Sequence, residues 1–134
     1  MKVRAIDVRE PGALAGAFRQ ARREAQAAVV LADPLTVTHR QEITKLAASN
    51  RRPTVYAFLV FMDAGGLMAY AADTTILFRR AAEYVDKILR GAKPADLPIE
   101  QPTQFKLIVN LKAARALGLT FPESILLRAD EVIR

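Results

Sequence analysis

The chain has 134 residues, of which 51% are hydrophobic and 25% charged, which suffices for the core of a single domain and argues against disorder. It contains no cysteine, so disulfides, thiolate metal sites and cysteine nucleophiles are excluded. The net charge of +6 comes from bases interleaved with acids, without a continuous basic stretch, a zinc-finger spacing or an RNP-type motif, so we do not expect nucleic-acid binding.

The N-terminal part of the chain predicts a strand, a helix and a second strand. Residues 3–8 alternate enough for a strand, and Pro11 suits the first turn of the helix that follows. The continuous apolar run 27–32 is typical of a parallel strand that is buried on both faces. The apolar face of the helix carries residues at helical spacing, namely Leu14, Phe18, Ala21 and Ala25.

The middle of the chain repeats this alternation. Thr38 and Gln41 have the spacing of a capping box, which predicts a helix that begins there. Strands are predicted at 54–58 and 67–71, and a short helical turn followed by Gly65-Gly66 lies between them.

The C-terminal half contains the longest predicted helix. Asp73 can cap this helix, which runs to about Arg90, and the proline-containing segment 92–104 is predicted as an extended linker. Beyond the linker we expect a strand at 105–109, a short helix capped by Asn110 and ending at Gly118, and a last helix over 122–132. Because strands that alternate with helices imply parallel crossovers, we predict one α/β domain over residues 1–134, with a Rossmann-like parallel sheet and flanking helices.

Motifs for catalysis are lacking in the sequence. It contains neither a phosphate-binding loop nor a dinucleotide fingerprint, and no close pair of acids falls at a predicted strand end. The single histidine, His39, is expected to be an exposed residue at the start of a helix, without a second histidine to share a metal. The sequence therefore predicts a protein that is not an enzyme and that has no metal site and no cofactor.

Candidate ligand-binding residues follow from the predicted sheet, because ligands bind beyond the carboxyl ends of parallel strands. The carboxylate of Asp33 could pair with a ligand ammonium, although an aspartate before a proline is equally typical of a turn. Tyr56 and Tyr70 could wall a ligand, but their apolar surroundings favour core packing modestly. Gly65 and Gly66 favour a tight turn with positive φ over a close approach of backbone to ligand.

Several runs of residues together resemble one family. The run Ala64-Gly65-Gly66-Leu67-Met68-Ala69-Tyr70 is similar to the signature AGGLMSYG of ABC importer substrate-binding proteins, in the subgroup associated with aromatic amino acids such as tryptophan. Asp33-Pro34 is similar to an Asp-Pro that follows a core strand in the family. The C-terminal part of the family is matched in the same order by residues 78–98, 101–105, 109–112 and 116–119.

The resemblance implies a partial lobe of a type I periplasmic binding protein, in which two Rossmann-like lobes close on a ligand in the cleft between them. It implies binding of an amino acid or similar small solute, an ABC permease and its ATPase as separate partner chains, and a periplasmic location. The opening residues show no secretion signal, so a chain that is complete as written would instead be cytoplasmic. The ligand-binding residues are then expected to be Asp33, Tyr56, Gly65, Gly66 and Tyr70.

The long helix at 73–90 suggests an alternative. By the family pattern this helix would pack on a lobe that is not present here, so its apolar face, with Leu77, Ala81, Tyr84 and Ile88, needs another partner. We therefore expect either rearranged packing or a homodimer. The alternative function is a self-associating, non-catalytic interaction module that keeps the fold and has lost transport.

Overall fold

The computed structural model describes residues 2–134, and its five strands form a single sheet with the strand order β1-β2-β3-β4-β5. The strands are β1 (Ala28–Val30), β2 (Thr54–Tyr56), β3 (Met68–Ala72), β4 (Phe105–Asn110) and β5 (Glu131–Ile133). Neighbouring strands are parallel except for β3 and β4, which are antiparallel. The predicted α/β fold is confirmed, with a mostly parallel sheet.

Seven α-helices accompany the sheet within the described residues. They are α1 (Leu14–Glu24), α2 (Pro34–Thr38), α3 (Arg40–Ser49), α4 (Val60–Asp63), α5 (Thr74–Leu89), α6 (Leu111–Leu117) and α7 (Glu123–Leu126). A 3-10 turn at Pro11–Ala13 leads into α1. The segment 92–104, predicted as an extended linker, contains a 3-10 turn at Pro94–Asp96 and otherwise no regular structure.

The two faces of the sheet can be assigned from the strand register, because residues paired across neighbouring strands point to the same face. Tyr56 pairs with Ala69, and Ala69 pairs with Ile108, so these three residues share what we call the inner face. On the opposite, outer face a single apolar row crosses all five strands and consists of Val29, Val55, Met68, Val109 and Val132.

Helices α1, α3 and α4 cover the inner face and form the core with it. The buried cluster contains, from the helices, Leu14, Phe18, Ile43, Ala47, Phe61 and Met62, and from the strands, Tyr56, Ala69 and Ile108. Of the apolar face predicted for α1, Leu14, Phe18 and Ala21 are buried, whereas Ala25 lies just beyond the end of the helix and is exposed.

The outer face is poorly covered over β1, β2 and β3. Val29 is 67% exposed and Tyr70 is 58% exposed, whereas Val109 on β4 is fully buried. Parallel strands are normally covered on both faces, because crossover helices lie on both sides of the sheet. The expectation that the run 27–32 would be buried on both faces is therefore wrong, since β1 is an edge strand whose outer face meets solvent.

Two predicted elements at the ends of the chain differ from the structure. Residues 3–8 are not a strand but an irregular segment alongside α1, to which Arg4 is tied by an ion pair with Glu24. The predicted helix 122–132 is only the short α7, and residues 131–133 are β5, which pairs in parallel with β4. Residues 131–133 have a partner strand and residues 3–8 have none in the described chain, and local pattern encodes neither outcome.

The helix caps show which local signals were decisive. Asp73 accepts a hydrogen bond from the backbone of Thr75 at 2.9 Å and begins α5, as predicted. Asn110 caps α6 in the same way, and Gly118 ends it with φ of 72°. The capping box predicted at Thr38 is wrong, because the reciprocal pair lies earlier in the chain, at Asp33.

Residues 74–104 form an arm that leaves the sheet and returns to the same place. The Asp73 amide donates to the Gln104 carbonyl at 3.1 Å, and Ala72 pairs with Phe105, so both ends of the arm meet at the end of β3. No residue of α5 is buried. Within the arm, the Tyr84 hydroxyl donates to the Pro98 carbonyl at 2.8 Å, so helix and returning segment hold each other.

Candidate functional site

The carboxyl ends of the parallel strands β1, β2 and β3 lie at one edge of the sheet, where an open α/β sheet usually binds its ligand. The segments that leave this edge are 31–33 after β1, 57–59 after β2 and Asp73 after β3. Two of the five candidate ligand-binding residues, Asp33 and Tyr56, belong to strand ends at this edge.

Asp33 is exposed, and its carboxylate caps α2. Its Oδ1 accepts a hydrogen bond from the Thr36 amide at 2.9 Å, and the Thr36 hydroxyl oxygen accepts one from the Asp33 amide at 3.0 Å. The turn role that was considered for Asp33 is therefore present. A carboxylate that caps a helix keeps lone pairs for a second donor, so its binding role stays a prediction.

Tyr56 lies in the core and not at a cleft within this chain. Its side chain is only 1% exposed, and its ring stacks on that of Phe61 with centroids 4.7 Å apart. Burial raises the pKa of the Tyr56 phenol well above its ordinary value, so the hydroxyl stays protonated. The ring supports the turn between α4 and β3 from below.

Gly65 and Gly66 make that turn possible for two different reasons. Gly65 has φ of 87°, which L side chains rarely adopt. A Cβ at Gly66 would lie 2.8 Å from the Phe61 carbonyl oxygen and 2.9 Å from the ring of Tyr56. The turn is also tied to α3, because the hydroxyl of the buried Thr44 donates to the Ala64 carbonyl at 2.8 Å.

Tyr70 lies on the outer face, so it and Tyr56 stand on opposite sides of the sheet. Its exposed ring stacks on Phe105 of the neighbouring strand, with centroids 5.5 Å apart. Within this chain the two tyrosines therefore do not wall one common space. Of these two tyrosines, Tyr70 is the one whose ring is exposed to a ligand.

An ion pair at the end of β3 was not predicted from the sequence. Lys106 Nζ lies 2.7 Å from Asp73 Oδ2, and the hydrogen bond from Lys106 lowers the pKa of the Asp73 carboxyl while that of the ammonium is raised. Asp73 is buried and Lys106 is half-exposed. Only the antiparallel pairing of β3 with β4 brings these residues together, so no local motif could have revealed the pair.

The carboxyl edge of the sheet thus carries the Asp33 carboxylate and the ion pair of Asp73 with Lys106. These groups can hold a small polar molecule by hydrogen bonds and charge. Within residues 2–134 no cluster of three His, Asp or Glu side chains is placed to hold a metal ion.

Comparison with protein families gives one match over almost the whole chain. The sequence profile described as "ABC transporter substrate binding protein" matches residues 1–133. Among the curated proteins compared by sequence, none matches.

Solved structures with the same fold add detail. A conserved domain protein from Vibrio cholerae has a TM-score of 0.84 at 23% identity, over 90% of this chain and 41% of that one. An ABC domain in complex with L-Trp from Streptococcus pneumoniae has a TM-score of 0.82 at 27% identity, over 91% of this chain and 42% of that one. The open, ligand-free structure of a substrate-binding protein with adhesive properties from Clostridium difficile has a TM-score of 0.66 at 21% identity, over 94% of this chain and 42% of that one.

The match covers less than half of each of these structures. The chain spans about two fifths of the length of the structures that it resembles. Over the described part of the chain, none of the helices has the length and apolarity needed to cross a bilayer.

Proposed function

The chain belongs to the family of ABC transporter substrate-binding proteins, and from that premise we propose that it is the solute-binding portion of an ABC-type importer. The ligand is an amino acid or a similar small solute. The observation that carries this proposal is the family match over residues 1–133, together with a 27% identical neighbour whose structure holds L-Trp. The protein then binds an ABC permease and acts on the extracytoplasmic side of the membrane.

We further propose that solute meets the chain at the carboxyl edge of β1–β3. The Asp33 carboxylate serves as the partner of a ligand ammonium, because the residue is exposed and a carboxylate that caps α2 with one oxygen can accept a charged donor on the other. Gly65 and Gly66 shape the turn that precedes β3 at its amino end, and Tyr56, at the carboxyl end of β2, supports that turn from the core. Tyr70 offers an aromatic face on the far side of the sheet.

The test is thermal unfolding of the chain with a panel of L-amino acids that includes L-Trp. A ligand at a hundredfold excess over Kd stabilises the folded state by about 2.7 kcal/mol, which raises the unfolding midpoint by several degrees. If no amino acid raises the midpoint, the proposal of amino-acid recognition by this chain fails.

Asp33→Asn separates the two roles of Asp33. Asparagine caps helices as well as aspartate, so the variant should unfold at the wild-type midpoint without ligand. The ligand should no longer raise the unfolding midpoint of this variant, because the negative charge is gone. Asp96→Asn, at an exposed position of the arm, removes the same charge and should keep the rise. Retention of the full rise in Asp33→Asn would leave Asp33 with its capping role alone.

A second candidate function rests on the exposed apolar surface of α5. A non-catalytic module that associates with itself would explain why this helix buries none of its residues. It predicts no response to any solute in the same assay.

A further inference from the structure

Helix α5 carries a wide apolar stripe that the described residues leave largely exposed. At 100° per residue the side chains on one side of this helix are Leu77, Phe78, Ala81, Val85, Ile88 and Leu89. Phe78 is 77% exposed and Leu89 is 81% exposed. The opposite side of the helix carries charges that pair within the arm, such as Arg80 with Glu100 and Arg90 with Asp86.

The outer face of the sheet is a second uncovered apolar surface. It presents Val29, Tyr70 and Phe105 to solvent, with Val55 and Met68 half-buried between them. The inner face has its helical layer in α1, α3 and α4, whereas the outer face over β1–β3 has no such layer. Within residues 2–134, a helix therefore exposes an apolar stripe and a sheet face lacks a helical layer.

The area of these surfaces is large for a protein of this mass. The solvent-accessible surface is 9678 Å². A compact monomer of 14.8 kDa is expected to expose about 7,000 Å², so the excess is about 2,700 Å². Burial of even about a third of that excess by each of two copies gives an interface of about 1,800 Å² in total, which is the size of a stable, specific interface.

We propose that two copies of the chain form a two-fold symmetric dimer in which the α5 stripe of each copy covers the outer face of the other. A two-fold axis makes the two contacts identical, so the stripe and the outer face of both copies are buried together. No such surface is left to add a third copy. The arm is suited to reach a second molecule because both of its ends meet at the end of β3 and no residue of α5 is buried. The partner's stripe covers Tyr70, so in the dimer the solute is contacted only by residues at the carboxyl edge of β1–β3.

The test is the molar mass of the chain in solution, measured by light scattering and by sedimentation equilibrium at about 100 μM. The wild type should have twice the chain mass of 14.8 kDa. Val85→Glu on the stripe and Val29→Glu on the outer face should each halve that mass, because each would bury a charge in the interface. Arg79→Gln, on the polar side of α5, changes the net charge by the same amount as either and should stay dimeric.

Folding of each variant is checked by its circular dichroism and thermal midpoint, and Tyr70→Lys is a second variant on the outer face should Val29→Glu not fold. A monomeric wild type overturns the proposal. A Val85→Glu variant that remains dimeric overturns it as well. The proposal also fails if Val85→Glu is monomeric while Val29→Glu and Tyr70→Lys both remain dimeric. Because solute binding is read by ligand-induced stabilisation and association by mass, failure of one proposal is distinguishable from failure of the other.

Discussion

Substitution of Gly66 by alanine tests the turn that joins α4 to β3. The new Cβ would lie 2.8 Å from the Phe61 carbonyl oxygen and 2.9 Å from Cε2 of Tyr56. Neither neighbour can yield easily, since one is backbone and the other is a core ring that stacks on Phe61. Overpacking of this kind lowers the free energy of unfolding by about 1–3 kcal/mol.

For a chain of this length the change corresponds to a decrease of about 4–12 °C in the unfolding midpoint, measured by circular dichroism or calorimetry. Gly12→Ala is the matched control, because a Cβ there meets nothing within 4 Å and the expected change is within about 0.5 kcal/mol. Gly65→Ala meets no atom either, but its φ of 87° should cost about 1 kcal/mol from the backbone alone. A Gly66→Ala protein that unfolds within about 2 °C of wild type, which corresponds to less than about 1 kcal/mol, would refute the steric reasoning.

Two further predictions concern the arm and the turn. The hydrogen bond from Arg80 lowers the pKa of Glu100 from 4.5 to about 2, so the attachment of the returning segment to α5 is complete above pH 4.5 and is lost as the pH falls toward 2. Amide hydrogen exchange around residue 100 should report this loss, and an identical pH profile in Glu100→Gln would contradict it. Thr44→Val leaves the Ala64 carbonyl without its donor and should lower the free energy of unfolding by about 1–2 kcal/mol in denaturant titrations, whereas the exposed Thr120→Val should change it little.

Local chemistry explains which parts of the fold were predictable. The Asp73 and Asn110 caps, and Gly118 at the end of α6, act within a few residues and were read correctly from the sequence. The conformations of residues 3–8 and 131–133 depend on whether a partner strand lies beside them, so the sequence patterns predicted both segments wrongly. The antiparallel pairing of β4 with β3 likewise has no local signature.

The candidate site was predictable only as a set of residue types. The rule of the carboxyl edge led to Asp33 and Tyr56, but it could not tell that Tyr56 and Tyr70 point to opposite faces. That distinction depends on register, in which a shift of one residue exchanges the two faces. The capping contact of Asp33 with Thr36 is local, and the turn reading of the Asp-Pro pair anticipated it.

The shared anchor point of the arm has a consequence for how this protein can change. Because Ala72 and Phe105 pair directly, β3 and β4 form their ladder without contacts from the 32 residues between them. Substitutions along α5 can accumulate, and the surface that it contacts can be exchanged for another, while the five strands keep their order. The architecture thereby separates what the domain must do to fold from what it can recognise.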